Sequence, residues 1–190
     1  VRRMTDVWLP IVSESEFEQG PAAILVGMSD LAAEHSVIVG QGPSAGDHYV
    51  IRTGSDYVAL IGNDAHSLRG SVYAVYDLLE RLGCGWYGPD PLWQIIPEKK
   101  ALVVPAIDVH EVPALQWRSL WMHGMHSDEL RDAWRLGGRA LSIAHNLSSL
   151  VPPAEHKQDH PDWFGPEQPC LTHPEVIGLV VEDFSRQLRN

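Results

Sequence analysis

One stretch limits the fold more than any other. Leu68, Val72, Val75, Tyr76, Leu79 and Leu82 recur at helical spacing and stop at Gly83. That spacing lays an apolar stripe along one helix face, and a glycine just past it suits the left-handed residue that ends a helix. Asn63, Asp64 or Ser67 can cap its start by accepting backbone N–H bonds. Just upstream, residues 48–52 and 57–61 are apolar runs separated by Thr53-Gly54-Ser55-Asp56, which predicts a β-hairpin. Residues 22–27 form a further apolar run closed by Gly27 and read as a buried strand. A helix with one apolar face next to several strands predicts an α/β layer built on a small mixed sheet.

Downstream, residues 84–89 predict a short strand entering a turn. Residues 95–97 and 101–105 predict edge strands, because Pro97 and Pro105 disfavour central positions. A boundary is expected near Glu111-Val112-Pro113, giving an accessory domain over 1–112 and a second domain over 113–190. The second segment reads as a strand over 115–122, a helix over 128–138 capped by Ser127 and ended by Gly137-Gly138, and a strand over 139–144. A long loop over 145–164 follows. Pro174 then opens a helix to about Leu188 with Val176, Ile177, Val180, Val181, Phe184 and Leu188 as its apolar stripe. Strand, helix, strand, loop, helix is how a TIM-type (β/α) barrel begins. A full barrel takes roughly 250 residues, so only its first βα units are expected here.

Charge narrows the partners. With 14 Lys+Arg against 25 Asp+Glu the net charge is -11. Nucleic acid and anionic membranes reward basic patches, so neither is expected as a partner. No apolar run near 18 residues and no signal peptide is visible, so the sequence leaves localisation unknown. Cys84 and Cys170 stand far apart and form neither a disulfide framework nor a metal knuckle.

The 10 histidines raise the question of a metal. His156 and His160 are four apart, and His123 and His126 three apart, spacings that bring two rings to one helix face. The first pair lacks the Glu that metalloprotease chemistry needs, and a zinc site takes three or four converging ligands. No metal and no cofactor is therefore expected. Residues 40–46 carry glycines without a P-loop lysine, and no Gly-x-Ser-x-Gly elbow occurs.

Several motifs together resemble known glycosidases. Residues 67–83, then Trp86-Tyr87-Gly88-Pro89-Asp90, Ile95-Ile96-Pro97 and residues 105–109 are similar to the small α/β domain that precedes the barrel in family 20 β-hexosaminidases and family 67 α-glucuronidases. Pro113-Ala114-Leu115-Gln116-Trp117-Arg118 resembles the opening of their first barrel strand. A closer resemblance is to bacterial proteins with the domain of unknown function 4838, placed in glycoside hydrolase family 163. It rests on His145-Asn146, Leu150-Val151-Pro152-Pro153, His160-Pro161-Asp162-Trp163-Phe164 and Cys170-Leu171-Thr172-His173-Pro174-Glu175-Val176, in that order. His173 stands where the family pattern carries Asn, and residues 165–168 make a shorter link than that pattern has.

The resemblance implies action on β-linked N-acetylhexosamine glycans, a secreted or periplasmic location, and catalytic carboxylates beyond Asn190. If the substrate acetamide serves as internal nucleophile, the protein need supply only a general acid and a group that orients the acetamide. Asp159, Asp162, Glu167 and Glu175 do not end convincing apolar strands, where a barrel places its acid. The chain itself is therefore expected to be inactive.

Four residues are expected to contact substrate. Arg118 offers a rigid fork of donors suited to paired hydroxyls, and the competing reading is a structural ion pair. His145 and Asn146 follow the second strand and can both donate and accept, or else anchor the loop. Trp121 can stack on a sugar face, as can Trp163, although large aromatics mostly pack. Trp86, Tyr87 and Trp93 are expected to fill a seam between domains. The expected partner is a glycan, with self-association through the incomplete barrel. Two other readings compete: a non-catalytic carbohydrate-binding or interaction module, and a small metal-dependent hydrolase.

Overall fold

The computed structural model describes residues 1–18, 20, 22–42, 46–120, 128–138, 146–166 and 168–189. The chain divides into two compact units, Val1–Arg139 and Ala140–Asn190.

The first unit holds α1 (Arg2–Thr5), β1 (Ala23–Val26), α2 (Asp30–Glu34), β2 (Tyr49–Thr53), β3 (Tyr57–Gly62) and α3 (Gly70–Arg81). It continues with β4 (Gly85–Trp86), β5 (Gln94–Ile95), β6 (Asp108–Glu111), β7 (Trp117–Arg118), α4 (Asp128–Ala133) and β8 (Gly137–Gly138). A four-stranded sheet has the order β1-β3-β2-β6. β1 runs parallel to β3, while β2 pairs antiparallel with both β3 and β6. The hairpin predicted at 53–56 is thus the centre of a mixed sheet, and the architecture is α/β.

Strand alternation sends side chains to both faces of that sheet. Tyr49, Ile51 and Leu60 pack with Tyr73, Ala74, Leu78 and Leu82 of the α3 layer. Val50, Ala59 and Ile61 pack on the other face with Ala32, Val37 and Val39. β1 is an edge, so it is not the buried strand its apolar run suggests: Ile24 and Val26 are exposed. An apolar run alone does not reveal whether a layer covers both its sides.

α3 keeps its predicted end, with Gly83 at φ 97°, but its start and buried face differ. Leu68 lies before the helix, and the fully buried positions include Ser71, Tyr73, Ala74, Asp77 and Leu78. The buried face is turned because two polar side chains on it have partners: Tyr73 Oη donates to the Leu136 carbonyl and Asp77 Oδ2 accepts from Tyr49 Oη. The helix start is served by Asp64, whose Oδ1 accepts from the Ser71 N–H at 3.0 Å. Gly62 allows this junction, since a Cβ there would lie 1.9 Å from the Gly70 carbonyl carbon.

Residues 101–105 form no strand; the edge strand is β6, which begins three residues beyond Pro105. Its polar sequence Asp-Val-His-Glu hides it from an apolar scan, yet it pairs with β2 over four residues. Gly137-Gly138 does not simply end a helix. α4 stops at Ala133, and the two glycines form β8, antiparallel to β7. The strand expected over 139–144 lies outside the described residues. Residues 113–138 fall in the same compact unit as residues 1–112.

The second unit holds α5 (Leu147–Leu150), α6 (Pro153–His156) and α7 (Pro174–Arg189). The expected long loop therefore contains two short helices and a 3-10 turn over Pro161–Trp163. Val151, Trp163 and Val176 are its buried core, flanked by Leu150, Phe164, Leu179 and Val180. Pro174 opens α7 as predicted, because its missing N–H costs nothing in a first turn.

Candidate functional site

Arg118 is the predicted sugar contact that the structure describes most fully. It ends β7 opposite Gly137 of β8. Its Nε donates to the Arg135 carbonyl at 2.8 Å, its Nη1 to the Leu115 carbonyl at 2.7 Å, and its Nη2 to Asp47 Oδ2. The Arg118 guanidinium carbon lies 5.9 Å from the Tyr73 ring centre, a cation–π distance. The side chain is 15% exposed.

Asp47 is the hub. Its side chain is 2% exposed, and Oδ1 accepts from the Arg69 backbone N–H at 3.1 Å while Oδ2 takes Arg118. A buried carboxylate is tolerated only when its charge and lone pairs are met. Arg69 in turn grips Asp132 of α4 through Nε and Nη2, a bidentate pair. Two glycines leave room for the arrangement. A Cβ at Gly137 would lie 2.4 Å from Tyr73 Oη, and one at Gly138 would lie 2.1 Å from the Gln116 carbonyl oxygen. Burial, aided by the Asp47 charge, pushes the Tyr73 phenol above its ordinary value. Tyr73 is thereby a stable donor to Leu136.

A second network lies behind it. Tyr49 Oη donates to Asp77 Oδ2 at 3.1 Å, and Arg81 and Arg135 close on the same carboxylate at 3.0 and 3.8 Å. Burial, then the Asp77 charge, pushes the Tyr49 phenol up to about 12. Arg135 also pairs with Glu80 at 2.6 Å.

In the second unit the aromatic cluster centres on Trp163. His160 stacks on it at 4.0 Å and 18°, and His156 and His173 lie at 5.5 and 6.1 Å. Trp163 Nε1 donates to Glu175 Oε2 at 2.8 Å, and the Cys170 N–H donates to the Trp163 carbonyl at 2.6 Å. Trp163 is therefore a core residue, in line with the packing reading. His156 and His160 flank its ring rather than converge on a common point. Among the described residues no group of three or more His, Cys, Asp or Glu is placed to hold a metal ion. His173 Nε2 lies 3.1 Å from Asp162 Oδ2. The Cys170 thiol is drawn below its ordinary value by the Thr172 hydroxyl at 3.2 Å and by the Thr172 and His173 backbone N–H groups. Burial pushes the Cys84 thiol up.

The remaining predicted contacts divide as follows. Asn146 is half-buried at the residue preceding α5, where its carbonyl accepts from Ser149 and Leu150. It belongs to the second unit and Arg118 to the first. Trp121 and His145 lie outside the described residues. Trp86 is buried, edge-on to Tyr76 at 4.9 Å, whereas Tyr87 and Trp93 are exposed on the β4–β5 hairpin. Sequence reasoning missed Asp47, Tyr73 and Asp132, because their partners lie far away along the chain and leave no periodic or motif signal. Among the described residues no helix is long and apolar enough to cross a membrane.

Comparison with known proteins bears on the part of the chain that holds Arg118 and the Trp163 cluster. Searches of curated proteins and of solved structures returned no match. The model of one family, described as domain of unknown function (DUF4838), matches residues 86–190, just over half of the chain. The matched stretch runs from the β4 tryptophan through Arg118 to the end of α7, and the chain belongs to the DUF4838 family.

Proposed function

We propose that the chain is the N-terminal portion of a glycoside hydrolase that acts on β-linked N-acetylhexosamine glycans. Arg118 would contact the sugar, and residues from 113 onward would open a TIM-type barrel. The observation that carries the reading is the state of Arg118. Three donations hold its fork rigid while the side chain keeps 15% exposure, a combination that suits a preorganised hydroxyl donor. Family membership supports it at the level of motifs, since the matched region contains the Pro-Ala-Leu-Gln-Trp-Arg stretch and the His-Pro-Asp-Trp-Phe stretch. Asn146, His145 and Trp121 are the other residues proposed from the sequence to contact sugar.

In this reading the chain binds without turning over. Ligand-detected NMR with N,N′-diacetylchitobiose should show binding that Arg118→Ala removes, and a chromogenic N-acetylglucosaminide should not be hydrolysed. Turnover by the chain, lost in Arg118→Ala, would refute the assignment of catalysis to other parts of the protein. Absence of sugar binding would refute the glycan reading itself.

The second reading is a non-catalytic carbohydrate-binding or interaction module. It is favoured by exposed apolar positions along α7, where Ile177, Val181 and Leu188 are 45%, 57% and 57% exposed. They lie on a stripe distinct from the buried Val176 side. Self-association through this stripe is part of the proposal. Sedimentation velocity over a hundredfold range of concentration should show a rising mass that Val181→Asp abolishes. A strict monomer throughout would rule it out.

A further inference from the structure

We propose that Asp47 is a specificity-determining residue, and that its pairing with Arg118 selects an uncharged sugar over an acidic one. The inference rests on the glycan reading of Arg118 and deepens it. An unpaired arginine at a sugar site would attract a carboxylate as strongly as it donates to hydroxyls, because bidentate pairing with a carboxylate is the guanidinium's strongest interaction. Here that interaction is already satisfied from within. Asp47 is buried, it faces Arg118 Nη2, and its other oxygen is held by the Arg69 N–H. It can therefore not swing away to release the cation.

The local charges add up in the same direction. Arg69, the other arginine beside Asp47, is neutralised by Asp132 through two bonds. A guanidinium has five N–H groups. Among the described residues three of them go to Arg135, Leu115 and Asp47, and Tyr73 Oη takes a further bond from the guanidinium, which leaves one N–H to offer a ligand. That donor carries little net charge once Asp47 is counted. It suits a neutral acceptor, such as a ring hydroxyl or an acetamide carbonyl. A uronic acid would bring its carboxylate towards the Asp47 charge and find no uncompensated cation. The chain's net charge of -11 disfavours it further.

The test measures N,N′-diacetylchitobiose and methyl β-D-glucuronide side by side on the whole chain by ligand-detected NMR and calorimetry. The wild type should bind the neutral disaccharide and prefer it over the glucuronide by about tenfold or more. Asp47→Asn keeps the shape and removes the charge, and it should raise glucuronide affinity about tenfold and make it fall with added salt. Asp47→Glu, which keeps the charge, should keep the neutral preference. Equal or better glucuronide binding by the wild type would overturn the proposal, whether or not Asp47→Asn folds. An unchanged ratio in folded Asp47→Asn would overturn it as well. If neither sugar binds the wild type, the glycan reading fails and this inference falls with it.

Discussion

Asp47 and Arg118, 71 residues apart in sequence, meet as an ion pair that is buried on the acid side and nearly so on the base side. Asp47 precedes β2 and Arg118 closes β7, so the pair ties the start of the sheet to the chain beyond Pro113. Removing one partner strands the other charge away from water, which costs about 3–5 kcal/mol. Asp47→Ala should lower the stability of the first unit by that order in urea unfolding, and Asp47→Asn by less. Losses below about 1 kcal/mol would mean that solvent replaces the carboxylate.

Tyr49 supplies a pH dependence of definite sign. Its folded-state value is about 12, above its ordinary value near 10. A raised value means that the folded protein holds the phenol proton more tightly than the unfolded chain. The resulting stability is complete below pH 10 and is lost as pH rises from 10 to 12, in all about 2–3 kcal/mol. Stability measured between pH 9 and 12 should fall in the wild type and fall less steeply in Tyr49→Phe. Parallel profiles would remove Tyr49 as the cause.

Gly138 has φ 79° and no space for a side chain, with the Gln116 carbonyl 2.1 Å from the position of a Cβ. Gly138→Ala should open the β7–β8 pairing and cost about 1–3 kcal/mol. Because Arg118 is held by the Arg135 and Leu115 carbonyls beside that pairing, the sugar binding proposed for Arg118 should weaken in the same variant. Amide exchange of Trp117 and Arg118 reports the opening directly, and unchanged protection there would contradict it.

The two thiols should separate cleanly. Cys170 accepts the Thr172 hydroxyl and nearby N–H groups, which favours its thiolate, whereas Cys84 is buried near Met4. Alkylation by iodoacetamide should mark Cys170 first, with a half-maximal pH below the ordinary thiol value of about 8.5. Thr172→Val should move that midpoint upward. Faster labelling of Cys84 would show that the first unit opens more readily than its core packing implies.

Periodicity alone determined the pieces whose identity depends on near neighbours in the chain. The 53–56 turn, the Gly83 helix end and the Pro174 start each follow from the conformational limits of one or two residues. The α/β class followed from them, because apolar runs and an apolar helix face must bury one another. The Pro113–Arg118 stretch points to Arg118 only through its resemblance to the opening barrel strand of known glycosidases.

Only the tertiary structure decided which faces those pieces bury and what holds Arg118. β1 became an exposed edge and β6 joined the sheet despite its polar sequence, because pairing is set by the neighbouring strand and not by hydrophobicity. α3 turned to bury Tyr73 and Asp77, because partners 63 and 28 residues away satisfy their polar atoms. Asp47 became the centre of the candidate site for the same reason. A buried charge is stable only beside its counter-charge, and that counter-charge comes from a part of the chain that no local pattern connects to it.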